Sequence, residues 1–439
     1  MHAEYLIVGN SAGAVGAVEA IRTVDVSGSI VVISDESYPV YSRPLISKYL
    51  AGEKSRAQML YREPDFYARW GVRLYSDREV RRIDPVERLA RLDDGLALRW
   101  DRLLLATGGK PIVPSVGGLN KEGVFTFTTL DDAVRLDRFL DDKRRAVVVG
   151  GGLIGISVTE ALWRRGIDVT VVELKDSLLN TILDETASGM VARALDGVGI
   201  AARTGRSVVE VLGNGRVEGV RLDNGDELPV DLVVLAVGVV PRAELAVESG
   251  IRVNRGIAVD TFMGTSCAGV YACGDVAEAY DLVYREARLT PVWPNAYLGG
   301  RVAGLNMAGH RAQYTGTVVN SLNYFGIDIA SAGMAEAPSN HGYETLWLQE
   351  KGDYRKVVLR NSLVVGMICV GNIEVSGIIF GLMRKEVPVD SFKEQLVSPG
   401  FGLASLPRDI WEGDFRRPVG VAQQPVAADQ PEGESVSAE

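Results

Sequence analysis

Arg145-Ala146-Val147-Val148-Val149-Gly150-Gly151-Gly152-Leu153-Ile154-Gly155 is the stretch on which the fold reading turns. Arg145 to Val149 is a short, nearly continuous apolar run, the pattern of a strand buried in a parallel sheet. A glycine turn follows, Ile156 to Arg165 carries the helical period, and Asp168 to Glu173 reads as a second strand. Strand, turn, helix and strand make a βαβ unit. The turn is a full G-x-G-x-x-G. Its first glycine, Gly150, suits a tight bend; its second, Gly152, lets backbone approach a pyrophosphate; its third, Gly155, permits close packing of helix on strand. The helix N-terminus offers free N–H groups and a positive dipole end to phosphates. Glu173 ends the second strand 18 residues after Gly155. A carboxylate there hydrogen-bonds a free 2′-hydroxyl and repels a 2′-phosphate, which favours NAD over NADP. Lys175 is the nearby charge of opposite effect.

The same grammar opens the chain. Tyr5 to Val8 is an apolar strand, Gly9-Asn10-Ser11-Ala12-Gly13-Ala14 is a turn, Ala17 to Arg22 is helical, and Ser29 to Ser34 is a second strand. This fingerprint is degenerate: Gly9 bends the chain, but Ser11 stands at the second position and Ala14 at the third. Asp35 lies 21 residues after Ala14, where a carboxylate accepts from ribose hydroxyls. Two further signals are duplicated. Leu103 to Gly109 is an apolar strand ending in Ala106-Thr107-Gly108, and Val233 to Gly238 echoes it. Thr265 to Asp275 is a third such strand, ending in Gly274-Asp275. The expectation is an α/β protein with two Rossmann-like dinucleotide-binding units.

The composition narrows the function class. The 439 residues hold 47 Lys and Arg against 57 Asp and Glu, a net charge of −10. An acidic chain without a basic stripe is a poor partner for nucleic acid or an anionic membrane. Near Asp231 to Pro241 the longest strongly apolar stretch is about half of what a spanning helix needs. The N-terminus lacks a basic region followed by an apolar one, so no signal peptide is expected. Three cysteines, Cys267, Cys273 and Cys369, include no C-x-x-C pair and cannot make the usual four-thiolate cluster. His2, His310 and His341 lack metal-ligand spacing, so no metal site is expected. So few cysteines suit a reducing cytoplasm.

From about Gly316 the texture changes to hairpins. Glu344 to Gln349 and Tyr354 to Leu359 read as strands around Lys351-Gly352-Asp353, and Ser362 to Val370 as a third. This predicts a separate α+β unit. Val419 to Glu439 contain no aromatic residue and no Lys or Arg, and read as a disordered tail.

The order of fingerprint, A-T-G strand, second fingerprint, echo and Gly-Asp strand resembles the two-dinucleotide-fold flavoprotein reductases. Asp35-Glu36-Ser37-Tyr38-Pro39-Val40-Tyr41-Ser42-Arg43-Pro44-Leu45-Ile46-Ser47-Lys48 looks like a segment of the rubredoxin, ferredoxin and nitrite reductase flavoproteins within that group. The resemblance implies an FAD-binding unit at 1–113 and 245–314, an NAD-binding unit at 114–244, a C-terminal interface unit at 315–415 and a tail at 416–439. It implies that Asp35 or Glu36 holds the FAD adenosine, that Arg43 and Lys48 approach FAD, and that Asp275 bonds its ribitol or phosphate. Glu160 would contact the nicotinamide carboxamide and pair with Lys48, the two forming the catalytic pair. The C-terminal unit of such proteins serves a homodimer or the docking of a partner.

The chain also departs from its relatives. Disulfide reductases carry redox cysteines after the first βαβ unit, and related NADH oxidases and coenzyme A disulfide reductases carry one. Here Ser42-Arg43-Pro44 stands in that segment, with no cysteine before Cys267. A thiol relay by this route is excluded. The expected reaction is hydride exchange between NAD(H) and FAD, with an external iron–sulfur protein as the other electron partner. Flavin subunits of this kind link NAD to iron–sulfur chains in tungsten aldehyde oxidoreductases and in 2-oxoacid dehydrogenases such as the phenylglyoxylate enzyme. The alternatives are an autonomous NADH oxidase, an NADH:rubredoxin or ferredoxin reductase, and a non-catalytic FAD-binding interaction protein.

Overall fold

The computed structural model describes residues 1–339 and 342–411. The tail expected at 416–439, and His341, lie outside the described residues.

The first apolar run is the strand His2–Val8, at the centre of a seven-stranded sheet. Ile30–Ile33 and Ala97–Leu105 flank it in parallel, and Val72–Tyr75 adds beyond Ile30–Ile33. Val80–Asp84 and Leu89–Leu92 extend the other side as an antiparallel meander. Val270–Ala272 returns from far along the chain to pair in parallel with Ala97–Leu105. These strands are apolar on both faces because both faces are covered: Leu6, Ile7, Leu103, Leu104 and Leu105 are fully buried.

The helix Ala12–Val24 lies against the late helix Trp293–Met307 at backbone contact. A Cβ on Gly300 would stand 2.0 Å from the Gly13 carbonyl oxygen, and one on Gly304 would stand 2.5 Å from that of Ala17. The stripe of small residues is therefore what brings the late helix to the first turn.

The second sheet is wholly parallel, in the order Ala201–Thr204, Asp168–Glu173, Arg145–Val149, Leu232–Leu235, Val124–Thr126. The helix Leu153–Arg164 joins the two strands read from the sequence. The A-T-G strand and its echo each run on into a short strand, Gly109–Pro111 and Val239–Pro241. These pair with each other antiparallel where the chain crosses between the units. The third sheet is antiparallel, in the order Val319–Tyr324, Ile327–Gly333, Leu363–Val370, Asp353–Arg360, Tyr343–Glu350. Its expected hairpin turns at Lys351-Gly352, both with positive φ. The helix Ser376–Arg384 covers one face, and the other face packs on the helix Glu185–Gly197 of the second unit.

Candidate functional site

Each fingerprint is built on a bend that only glycine takes without strain. Gly9 has φ +111°, and a Cβ there would stand 2.1 Å from the Ala106 carbonyl oxygen. Gly150 has φ +109°, with Ala236 oxygen 2.4 Å from the Cβ position. The bend thus lets each first strand run against the end of its A-T-G or echo strand. Ser11 and Gly152 sit at the N-cap positions of their helices, and neither forms a side-chain cap. No side chain therefore takes up the first-turn N–H groups, which leaves them available to a pyrophosphate.

Beside the first turn is a cleft of about 530 Å³ lined by Val8, Gly9, Ile33, Asp35, Thr107 and Arg242. Asp35 faces it and accepts from Arg242 at 2.7 Å. Glu36 is committed elsewhere: it accepts from the Tyr41 hydroxyl at 2.6 Å and pairs with Arg43. Arg43 also donates to the Thr128 carbonyl at 3.1 Å. Of the two acids named from sequence, Asp35 is therefore the one that lines the cleft. Thr107 donates to the Arg242 carbonyl at 2.7 Å, and Arg242 N–H donates to the Gly108 carbonyl at 2.9 Å. Gly238 plays the matching part in the second unit, its carbonyl accepting from Ile112 at 2.9 Å.

Gly274–Val276 forms a single tight turn under the helix Trp293–Met307. Asp275 is half-buried there, and among the described residues burial and the charge of Arg43, with no hydrogen bond, act on its carboxylate. Burial pushes its carboxyl above the usual carboxylate range, and the charge of Arg43 pulls it partly back. A partly buried carboxylate without protein donors is free to accept from a ligand's hydroxyls. The hydroxyls of a ribitol chain are suitable donors. The glycine bends, the uncapped helix starts, the cleft and Asp275 together fit FAD.

In the second unit Glu173 is buried, and both of its oxygens are taken by backbone amides. Gly151 N–H donates at 2.6 Å and Lys175 N–H at 2.8 Å. Its charge therefore stays fixed beside the turn while its remaining lone pairs stay open. Gly155 is pressed closer still, with the Gly150 oxygen 1.8 Å from where a Cβ would stand. These residues fit a dinucleotide with a free 2′-hydroxyl.

Lys48 and Glu160 are brought together at 3.8 Å. Lys48 rides on the helix Ile46–Leu50 of the first unit and Glu160 on Leu153–Arg164 of the second. Two residues the sequence reading missed complete the group. Arg164 donates to Glu160 at 2.8 Å and to Glu53 at 2.9 Å, while Glu53 lies 3.4 Å from Lys48. Arg164 follows Glu160 at i+4, a spacing that could have marked it. Only 5% of the Glu160 side chain is exposed, so its charge is held by these partners rather than by water.

The thiols stand apart from this chemistry. Cys273 and Cys369 are fully buried, and burial pushes their thiols up to about 12 and about 11. Cys273 is remote from the first fingerprint in sequence but lies against it in space, its Sγ 2.7 Å from a Cβ placed on Gly13. Among the described residues no cluster of His, Cys, Asp or Glu could hold a metal ion, and no helix is long and apolar enough to cross a membrane.

Residues 3–318 match the pyridine nucleotide-disulphide oxidoreductase family. The chain belongs to that family. Its members bind FAD and NAD(H) and catalyse oxidoreduction between them and a further partner, so this chain is an NAD(H)-dependent flavoprotein oxidoreductase. Residues 319–387 match the rubredoxin NAD+ reductase C-terminal domain. The chain is 30% identical over 400 residues to the nitrite reductase [NAD(P)H] of Bacillus subtilis, covering 90% of this chain and 49% of that one. It is 29% identical over 401 residues to the epsilon subunit of the NADH-dependent phenylglyoxylate dehydrogenase of Aromatoleum evansii, covering 90% and 95%. It thus spans about half of the first relative and nearly all of the second. The crystal structure of a covalent putidaredoxin reductase–putidaredoxin complex superposes with a TM-score of 0.84 at 25% identity, covering 94% of this chain and 99% of that one.

Proposed function

We propose that this protein passes electrons between NAD(H) and an iron–sulfur protein, as the NAD-linked flavin subunit of a multisubunit dehydrogenase that oxidises a 2-oxoacid or an aldehyde. The observation that carries this reading is the absence of a thiol where the family's disulfide chemistry needs one. Ser42 precedes the Arg43–Leu45 turn, and Cys273 and Cys369 are buried. The near end-to-end likeness to the phenylglyoxylate dehydrogenase subunit supports the same reading.

In this scheme 1–113 with 245–314 hold FAD, 114–244 hold NAD(H), and 315–415 form the unit against which a partner or second copy docks. Gly9, Ser11, Gly13 and Ala14 receive the FAD pyrophosphate. Asp35 takes the adenosine ribose, with Glu36 bracing Arg43. Thr107, Gly108, Gly274 and Asp275 line the rest. Gly150, Gly152 and Gly155 receive the NAD pyrophosphate, Glu173 selects against a 2′-phosphate, and Gly238 closes that turn. Glu160 meets the nicotinamide carboxamide, held by Lys48 and Arg164. Bound FAD supplies two-electron exchange with NAD(H) and single-electron exchange with a cluster.

Purification from the native source tests this. The expected outcome is a yellow protein accompanied by iron–sulfur subunits, with NADH strongly preferred to NADPH. A chain that runs alone and consumes O₂ at its full NADH turnover rate would overturn it. The match of residues 319–387 favours a second reading, a free-standing NADH:rubredoxin or ferredoxin reductase. Fast turnover with a soluble rubredoxin or ferredoxin and no co-purifying subunit would favour that one.

A further inference from the structure

The C-terminal sheet touches the Lys48–Glu160 group through the tip of its first hairpin. Val319–Tyr324 and Ile327–Gly333 are joined by Phe325-Gly326, with φ +50° and +79°. A two-residue turn with both φ values positive calls for Asn, Asp or Gly at its first position. A bulky Phe there departs from that local rule, as Lys351 does in the Lys351-Gly352 turn, so what sets Phe325 apart is the contacts it makes.

The Phe325 N–H donates to Glu160 Oε1 at 3.4 Å, next to the Arg164 donor on the same oxygen. The Phe325 ring meets Trp163 edge to face, with centroids 5.7 Å apart. The buried Tyr324 hydroxyl donates to the Leu153 carbonyl at 3.2 Å and shares a hydrogen bond with Ser157 Oγ at 2.9 Å. Four side chains or carbonyls of one helix, at Leu153, Ser157, Glu160 and Trp163, are thus engaged by two residues of the hairpin. Their spacing of three to four residues is one face of that helix. One buried carboxylate therefore joins all three parts of the chain: Lys48 from the first unit, Arg164 from the second, and the Phe325 amide from the third.

We propose that Tyr324 and Phe325 are positioning residues of the nicotinamide site, holding the Glu160 carboxylate in the orientation that receives NAD(H). This rests on the reading of Glu160 given above. The C-terminal unit then completes the hydride site as well as offering a docking face. The strained turn keeps an N–H aimed at Glu160 Oε1, and the ring on Trp163 and the hydroxyl on Leu153 and Ser157 keep the turn seated.

The test is a double-mutant cycle in the full-length, FAD-loaded protein. Glu160→Gln, Phe325→Gly and the pair are compared for the limiting rate of flavin reduction by NADH and, separately, for NAD⁺ affinity by calorimetry. Phe325→Gly keeps the amide but removes the ring that seats the turn on Trp163; it should slow reduction about three- to tenfold, the worth of about one edge-to-face ring pair, and should weaken NAD⁺ in the same sense. The pair should be no worse than Glu160→Gln alone, because the hairpin acts through that carboxylate. Tyr324→Phe, which removes only a hydroxyl, should show a smaller effect of the same kind. Phe325→Tyr, which keeps the ring, should restore both readouts. Additive losses in the pair, or unchanged rate and affinity in Phe325→Gly while Glu160→Gln is impaired, would overturn the positioning role. An unimpaired Glu160→Gln would instead overturn the nicotinamide reading itself, and this proposal with it.

Discussion

The two fingerprints carry out the same bend with different sequences, and the difference shows where a glycine is required. In the second unit the helix is pressed onto its own turn, and Gly155 leaves no room for a Cβ beside the Gly150 oxygen. In the first unit the corresponding residue is Ala14, buried and accommodated. The tight packing has moved to another face. Gly13 and Gly16 abut Cys273 and the Tyr297 carbonyl, where the late helix Trp293–Met307 crosses. A dinucleotide fingerprint is therefore a record of which neighbour comes closest. It looks degenerate in the first unit because the nearest neighbour there is a distant part of the chain.

The acids differ in the same way. Glu173 is buried and bonded twice by the backbone of its own unit, whereas Asp35 is half-exposed and paired with Arg242 from the crossing between units.

The largest effect is expected from exchanging the third positions of the two fingerprints. Gly155→Ala sets a Cβ against backbone and should cost about 3 kcal/mol. Ala14→Gly should cost only about 1 kcal/mol, from lost helix propensity. Urea unfolding of both variants decides this, and similar losses would contradict the assignment of close approach.

A second exchange concerns Asp275, for which the second unit has no counterpart. Asp275→Asn should weaken FAD about ten- to a hundredfold, the worth of about 1.5–3 kcal/mol for a charged hydrogen-bond partner. The FAD-free protein should respond oppositely. The folded-state pKa of Asp275 is raised by burial, so its contribution to stability is present at low pH. That contribution is lost as pH rises through the folded value. FAD-free Asp275→Asn should therefore be more stable than the parent at neutral pH, with the gap closing as acid protonates the parent. Melts of the FAD-free forms across that range check the sign.

The contrast between the acids gives a third, smaller effect. Glu173→Ala strands two amide donors and should cost about 1–3 kcal/mol. Asp35→Ala breaks an exposed ion pair and should cost about 0–1 kcal/mol while raising the Kd for FAD. Equal stability losses would show that the two acids are held alike.

The smallest effect is expected at the thiols. Cys273 touches the first fingerprint, yet its buried thiol should resist alkylation of the native protein, as should that of Cys369. Cys267, partly exposed, should be modified alone, leaving NADH-to-dye turnover within experimental error. Loss of turnover in step with a single modified thiol would reveal a relay.

Much of this architecture is legible in the order of residues. A parallel strand covered on both faces must be apolar throughout, and the bend after it needs a positive φ that favours glycine. Both constraints are local, so Gly9, Gly150, the two βαβ units and the Lys351-Gly352 hairpin can be read directly. The i+4 relation of Arg164 to Glu160 is equally local.

Residue order alone marks two dinucleotide-binding units, a separate C-terminal sheet, and a 35–48 segment without a thiol. Packing between distant elements settles which acid lines the cleft beside the first turn, why Ala14 can replace a glycine, and what surrounds Glu160. Those answers depend on contacts between residues far apart in the chain. Arg242 meets Asp35, Tyr297 approaches Gly16, and Phe325 reaches Glu160. No periodicity or spacing records such pairs, because packing between elements, rather than the conformation of any one of them, brings the partners together.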